Sequence, residues 1–345
     1  MNEWLIYRGV GVPHDGITRL PPPPPWRAFD GEPPPDAAPS DEDPATGEPD
    51  APVGDSSTLR RLGSRRQDVR LDGPDAEELD VINAALYLRR PLLVTGRPGT
   101  GKSTLAHAVA HELKLGRVLR WPIVSRSGLQ DGLYRYDAIA RLQDVQIAAN
   151  AGRPEQGPGI GDYIRLGPLG TALLPGSRPR VLLIDELDKS DIDLPNDLLN
   201  VLEEGEFAIP ELERVAEREP EVEVLTDDGR KVTLRGGRVR CRAFPFIVLT
   251  SNGERDFPAA LLRRCIHLEL APPDEKRLSA MVKAHLGEEA AERGGELIRE
   301  FLARAQHEVI AADQLLNAIF LTHYAAPPTR ESLADLLVQR LDRAR

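Results

Sequence analysis

The stretch Gly96-Arg97-Pro98-Gly99-Thr100-Gly101-Lys102-Ser103-Thr104 sets glycines, a lysine and a hydroxyl at the spacing of a phosphate-binding loop. Glycines let a backbone curl until its N–H groups and the start of the next helix face phosphate oxygens. Lys102 would then reach the β- and γ-phosphates of a nucleotide, and the Ser103 hydroxyl would ligate Mg2+. A chance match in a chain this long is expected about 1% of the time, so an incidental glycine-rich turn is a weak competitor.

Two further stretches end in groups that could act on such a phosphate. "VLLIDE", residues 181–186, is an apolar run that delivers two carboxylates to its C-terminal end, where open α/β sheets bind ligands. Asp185 would hold Mg2+ through its water shell and Glu186 would polarise an attacking water. "FIVLTSN", residues 246–252, ends on Asn252, whose amide can bond both a water and a γ-phosphate. Taken singly, an acidic helix cap and a turn residue before Gly253 compete with these roles. Beside the glycine-rich loop they lose ground.

In "PAALLRRCIHLEL", residues 258–270, Arg263 and Arg264 sit side by side between a helix end and a strand. Two adjacent guanidiniums repel and cannot be buried unpaired, so an anion should meet at least one. A helix end that favours cations through its dipole explains one arginine more easily than two.

These residues need a scaffold, and the hydrophobic pattern supplies one. "PLLVTG", "GRVLRWPIV", "VLLIDE", "FIVLTSN" and "CIHLEL" read as short buried strands separated by helical stretches. That is the pattern of an α/β core with a central, largely parallel five-stranded sheet. The core is expected over residues 56–271, with a β-hairpin insertion near 221–242 turning at Asp228-Gly229. From 272 to 345, four leucine-rich helical segments read as an all-helical lid.

Residues 1–55 read as a disordered, acidic, proline-rich tail, poor in the apolar surface that folding requires, with the apolar cluster Trp4, Leu5, Ile6 and Tyr7 at its start able to dock on the body or on another protein. Residues 1–58 hold eleven acids against three bases, which accounts for eight of the eleven excess negative charges. The rest is near neutral, so charge gives no case for nucleic acid. No apolar run approaches the roughly 18 residues of a membrane span, and the N-terminus does not read as a secretory leader. Two cysteines, Cys241 and Cys265, have no metal or redox spacing. A soluble, cytoplasmic protein is the expectation.

As an ordered set, the loop, the Asp-Glu strand end, the Asn-ended strand, the arginine pair and the helical lid resemble the AAA+ ATPases, a P-loop NTPase family. "YIRLGPLGTALLPGSRPRVLLIDELDKSDIDLPNDLLNVLEEGEF" resembles more narrowly the MoxR-like branch, related to the dynein-related group with McrB and midasin. The resemblance covers about residues 75–325. It implies ATP and Mg2+ as ligands and a homo-oligomeric ring, usually hexameric, with each nucleotide at a subunit interface. It also implies chaperone-like remodelling or activation of a protein partner, often one with a von Willebrand factor A domain.

On this resemblance Arg264 is the finger that enters the neighbouring subunit's site, with Arg263 pairing nearby. Two segments resemble the branch's insertions: the Gly/Pro-rich stretch 150–170 and the hairpin 221–242. On the hairpin, Arg238, Arg240 and Arg242 form a stripe that could face a partner or simply solvent. Where lids usually carry a sensor arginine, "AADQLLNAIF" offers none, and Arg330 is the substitute. The alternatives are an ATP-switched scaffold of a multi-component defence or stress complex, and a McrB-like nucleic-acid motor.

Overall fold

The computed structural model describes residues 4–32, 56–63, 75–150, 158–305 and 312–324. In chain order the strands are β1 (Leu92–Thr95), β2 (Leu119–Pro122), β3 (Tyr134–Tyr136), β4 (Ile164–Leu166), β5 (Val181–Asp185), β6 (Glu206–Ala208), β7 (Glu221–Leu225), β8 (Lys231–Arg235), β9 (Arg238–Arg240), β10 (Phe246–Ser251) and β11 (Ile266–Glu269). The helices are α1 (Ser56–Leu62), α2 (Ala76–Leu88), α3 (Lys102–Glu112), α4 (Leu129–Leu133), α5 (Ala138–Asn150), α6 (Pro168–Ala172), α7 (Leu194–Glu204), α8 (Pro210–Glu213), α9 (Ala259–Leu262), α10 (Glu275–Leu286), α11 (Glu288–Arg293), α12 (Gly295–Ala305) and α13 (Ala312–Tyr324).

The central sheet has five strands in the order β11-β1-β10-β5-β2, and every neighbouring pair is parallel. Because successive side chains alternate faces, Leu93, Leu182, Ile184, Ile247 and Leu249 join one apolar cluster. Leu92, Val94, Val181, Leu183 and Val248 join the cluster on the other face. Both faces are covered, which is why these strands read as unbroken apolar runs. With all strands parallel, their C-terminal ends lie along one edge, and β1, β10 and β5, which precede the three candidate motifs, are neighbours there.

The two insertions meet. β4, from the first, pairs antiparallel with β3 and parallel with β7, the first strand of the hairpin. Together with β8 they form a second, four-stranded sheet. The hairpin turns at Gly229, whose φ of +84° suits glycine. Residues 151–157 of the Gly/Pro-rich stretch lie outside the described residues.

The arginine stripe is largely answered from within the chain. Arg238 pairs with Glu213 at 2.9 Å, and Arg240 with Glu206 at 2.6 Å and Asp30 at 2.9 Å. Arg238 and Arg240 lie on β9, which pairs with β6 and not with the hairpin strands as expected, and Arg242 falls beyond it.

Helices α10 to α13 share an apolar core of their own, built from Leu278, Val282, Ile298, Phe301, Leu315 and Ile319. Arg277 at the start of α10 reaches Glu78 on α2 at 2.6 Å and ties this bundle to the sheet domain. The fourth expected lid helix and Arg330 lie outside the described residues.

The extent of the tail needs correction. Residues 4–32 are not a free tail but a strap that lies along the core. Ile6, Tyr7 and Ile17 are buried in the cluster beneath the sheet. Asn83 accepts the N–H groups of Ile6 and Tyr7 and donates to the Tyr7 carbonyl. Glu112, fully buried, accepts from the N–H groups of Arg8, Gly9 and Gly11. Arg27 is 3% exposed, lies over the rings of Phe29 and Phe244, and donates to the carbonyls of Arg89, Leu202 and Glu203. Composition averaged over 55 residues hid this, because the polar groups that hold the strap come from helices far along the chain. Residues 33–55 lie outside the described residues.

Candidate functional site

The glycine-rich loop joins the end of β1 to the first turn of α3. Gly101, at φ +89°, precedes the helix in a backbone conformation that a side chain would strain. Gly96 lies so close to the residue that follows β11 that a Cβ would stand 2.7 Å from the Leu270 carbonyl oxygen. Lys102 is 7% exposed and folds back on the loop, its Nζ 2.7 Å from the Gly96 carbonyl and 2.9 Å from that of Arg97. Burial lowers its pKa, partly opposed by Asp188, Asp185 and Glu186. Thr100 Oγ1 donates to the Arg97 carbonyl at 2.9 Å. Pro98 and Gly99 complete the loop, and Thr104 follows, half-buried on α3.

Ser103 and Asp185 meet: the hydroxyl donates to Oδ1 at 2.6 Å. The same oxygen accepts from Thr250 Oγ1 at 2.9 Å, and Oδ2 pairs with Arg120 at 2.8 Å. Burial alone would raise the Asp185 pKa, but the bonds from Ser103, Arg120 and Thr250 outweigh it and hold the carboxyl below its ordinary range. The group is therefore an anion with two hard oxygen neighbours.

Glu186 follows in the left-handed region, at φ 62° and ψ 50°. For a residue with a side chain this costs on the order of 1–2 kcal/mol. Thr250 Oγ1, which accepts the Glu186 N–H at 2.8 Å, helps to hold it there. The Glu186 carboxylate is 44% exposed and pairs with Lys189 at 2.8 Å.

Asn252 begins the loop after β10, on the strand between β1 and β5. Its N–H and that of Glu254 both donate to Asp188 Oδ2, at 2.8 and 3.2 Å. Asp188 is 3% exposed, and its buried Oδ1 has no hydrogen-bond partner among the described residues.

The arginine pair lies elsewhere. Arg264 directly precedes Cys265 and β11, whose first residue Ile266 is level with Leu92 at the start of β1. The loop that carries Lys102 leaves the other end of β1, so the pair stands at the sheet edge opposite this chain's own glycine-rich loop. The pairing is the reverse of that expected. Arg264 is the one that pairs, with Glu203 on α7 at 3.2 Å. Arg263 is exposed, and its carbonyl accepts from Arg90. Glu203 faces both Arg264 and the strap's Arg27, which stabilises it in the one position.

Sequence reading missed Arg120, Thr250 and Asp188. Thr250 had a signal, as a hydroxyl inside an apolar run. Asp188 had a weaker one, two residues beyond Glu186. Arg120 sits in an alternating stretch that reads as an ordinary edge strand.

A family model for the AAA domain of the dynein-related subfamily matches residues 91–265. The chain belongs to this family. The match spans the loop, the two strand ends and the arginine pair, and the chain is an AAA ATPase, a nucleotide-binding enzyme. No curated protein matches the chain. Among solved structures it is similar to C. elegans PCH-2, at 16% identity and a TM-score of 0.39, over 84% of this chain and 72% of that one. It is also similar to NtrX from Brucella abortus in complex with ADP, at 14% identity and a TM-score of 0.37, over 79% of this chain and 56% of that one. Among the described residues no helix of this AAA ATPase is long and apolar enough to cross a membrane.

Proposed function

We propose that this AAA protein is a Mg2+-dependent ATP hydrolase of the MoxR-like branch, acting as a homo-oligomeric ring that remodels or activates a protein partner. The observation that carries the reading is the convergence of Lys102, the Ser103–Asp185 pair and Glu186 at one edge of the sheet. Loop N–H groups and Lys102 hold the β- and γ-phosphates, a short move of Nζ away from the carbonyls it now meets. Ser103 and Asp185 offer only hard oxygens, which fits Mg2+. When bound, Mg2+ neutralises charge between the β- and γ-phosphates.

Glu186 takes up the proton of the attacking water. Release of its exposed pair with Lys189 costs no more than about 1 kcal/mol. Asn252 orients that water and the γ-phosphate. Arg264 acts on the phosphate of a neighbouring subunit once its exposed pair with Glu203 is released; its distance from its own chain's loop supports a ring over a monomer. Arg263 and Arg330 complete the set of cationic candidates.

The test is steady-state hydrolysis of Mg2+-ATP alongside nucleotide binding. Wild type should turn over, Glu186→Gln should bind ATP without turnover, and Lys102→Ala should lose binding. Equal turnover in wild type and Glu186→Gln would reject the reading. Affinity capture with ATP-loaded Glu186→Gln then reads the partner.

A further inference from the structure

Beside β2 lies a groove of about 410 Å3 lined by Arg120, Arg126, Arg135 and Arg165, with Asp131 and Asp227 as its acids. Arg135 and Arg165 stand directly opposite each other on the antiparallel β3–β4 pair, and both are exposed. Like charges in that relation destabilise a strand pair, unless an anion is shared between them.

The groove's own acids supply that anion only in part. Asp131 accepts the Gly128 N–H at 3.0 Å and closes the first turn of α4. Arg165 meets the main-chain carbonyl of Asp227, at 3.1 Å, and not its carboxylate. Burial raises the Asp227 pKa, and the charge of Arg165, then that of Arg117, pulls against it, so Asp227 answers Arg165 in part and leaves Arg135 to another anion. Arg120 is engaged by Asp185. Among the described residues, Arg126 and Arg135 have no carboxylate within ion-pair distance.

Two observations choose the ligand. β3 is an edge strand of its sheet, and an open edge takes up an extended polypeptide through main-chain bonds. Among the described residues of the lining the one aromatic side chain, Trp121, is 5% exposed, so they offer no platform on which bases could stack. We propose that this groove binds an extended, carboxylate-rich stretch of a partner polypeptide along β3. The inference goes beyond nucleotide hydrolysis and is read without turnover.

The probe is a fluorescein-labelled oligoglutamate peptide, titrated with the full chain without nucleotide and followed by anisotropy. The wild type should bind it, more weakly as salt rises. Arg135→Glu with Arg165→Glu should weaken binding at least about tenfold, while Arg218→Glu, on an exposed turn elsewhere, should not. Arg135→Gln with Arg165→Gln, which removes charge without reversing it, covers the case in which the first pair fails to fold. Absent peptide binding, equal loss in Arg218→Glu, or undiminished binding in both double variants would overturn the proposal. Tighter binding of an oligothymidylate of equal charge would also overturn it, in favour of nucleic acid.

Discussion

Arg27→Met tests the strap most directly. The guanidinium donates to the Leu202 and Glu203 carbonyls in the last turn of α7 at 2.9 and 3.0 Å, and twice to the Arg89 carbonyl just beyond α2 at 2.9 and 3.2 Å. It therefore closes the C-terminal ends of two helices at once, where backbone carbonyls lack partners of their own. Methionine keeps most of the stem's volume over Phe29 and Phe244 but leaves three carbonyls without these donors. At about 1–3 kcal/mol for each unsatisfied group, less the desolvation recovered from a buried cation, the net loss is about 3–4 kcal/mol. Burial already lowers the Arg27 pKa, which shows that desolvation is the larger opposing effect. For a domain of this size the loss corresponds to a fall in Tm of about 10 °C. Differential scanning calorimetry should show that fall, with Arg19→Met, at an exposed strap position, within about 2 °C of wild type. A shift for Arg27→Met as small as that of Arg19→Met would refute the view that residues 4–32 are part of the folded core.

Asp188→Asn removes the charge behind the N–H bonds of Asn252 and Glu254 and should lower kcat by about tenfold or more with little change in KM; an unchanged kcat would show that Asn252 needs no such anchor. Mixed Arg264→Ala and Lys102→Ala subunits, each inactive alone, should regain part of the ATPase activity if the arginine acts across an interface, and no recovery would place it elsewhere. Burial opposes the charge on Asp228, but Arg180, Thr226 and Arg230 outweigh it and hold the pKa down at about 2. A depressed carboxyl contributes stability that is complete above its unfolded pKa near 4 and is lost as pH falls through the folded value, here about 2 kcal/mol. Asp228→Asn should flatten urea stability between about pH 4 and pH 2, and an unchanged acid limb in that variant would contradict this.

What could be read from the sequence was what is encoded locally. The glycine-rich loop, Asp185 and Glu186 announce themselves through spacing within a few residues, and both faces of the central strands are apolar because both are covered. Asp188, Thr250 and Arg120 gain meaning only when β10 and β2 come to lie on either side of β5, a pairing across some 65 residues that no local pattern states. Beyond the apolar cluster at its start, the strap was misread for the same reason. Its apolar residues are few, and Asn83 and Glu112, which satisfy its backbone, lie 76 to 104 residues away. Arg263 and Arg264 were found as a pair, but which of them pairs depends on Glu203 in a different helix.

The strap also separates two meanings of the word domain. The recognisable sequence spans residues 91–265, yet α2 and residues 4–32 complete the wall of the apolar cluster beneath the sheet. A fragment excised at the recognisable limits would open that wall to water and strip Glu112 of the donors it has in the intact chain. It should express as an aggregating, non-cooperative polypeptide. Residue boundaries for recombinant work on this chain therefore belong where the last N–H group is satisfied, not where the family likeness stops.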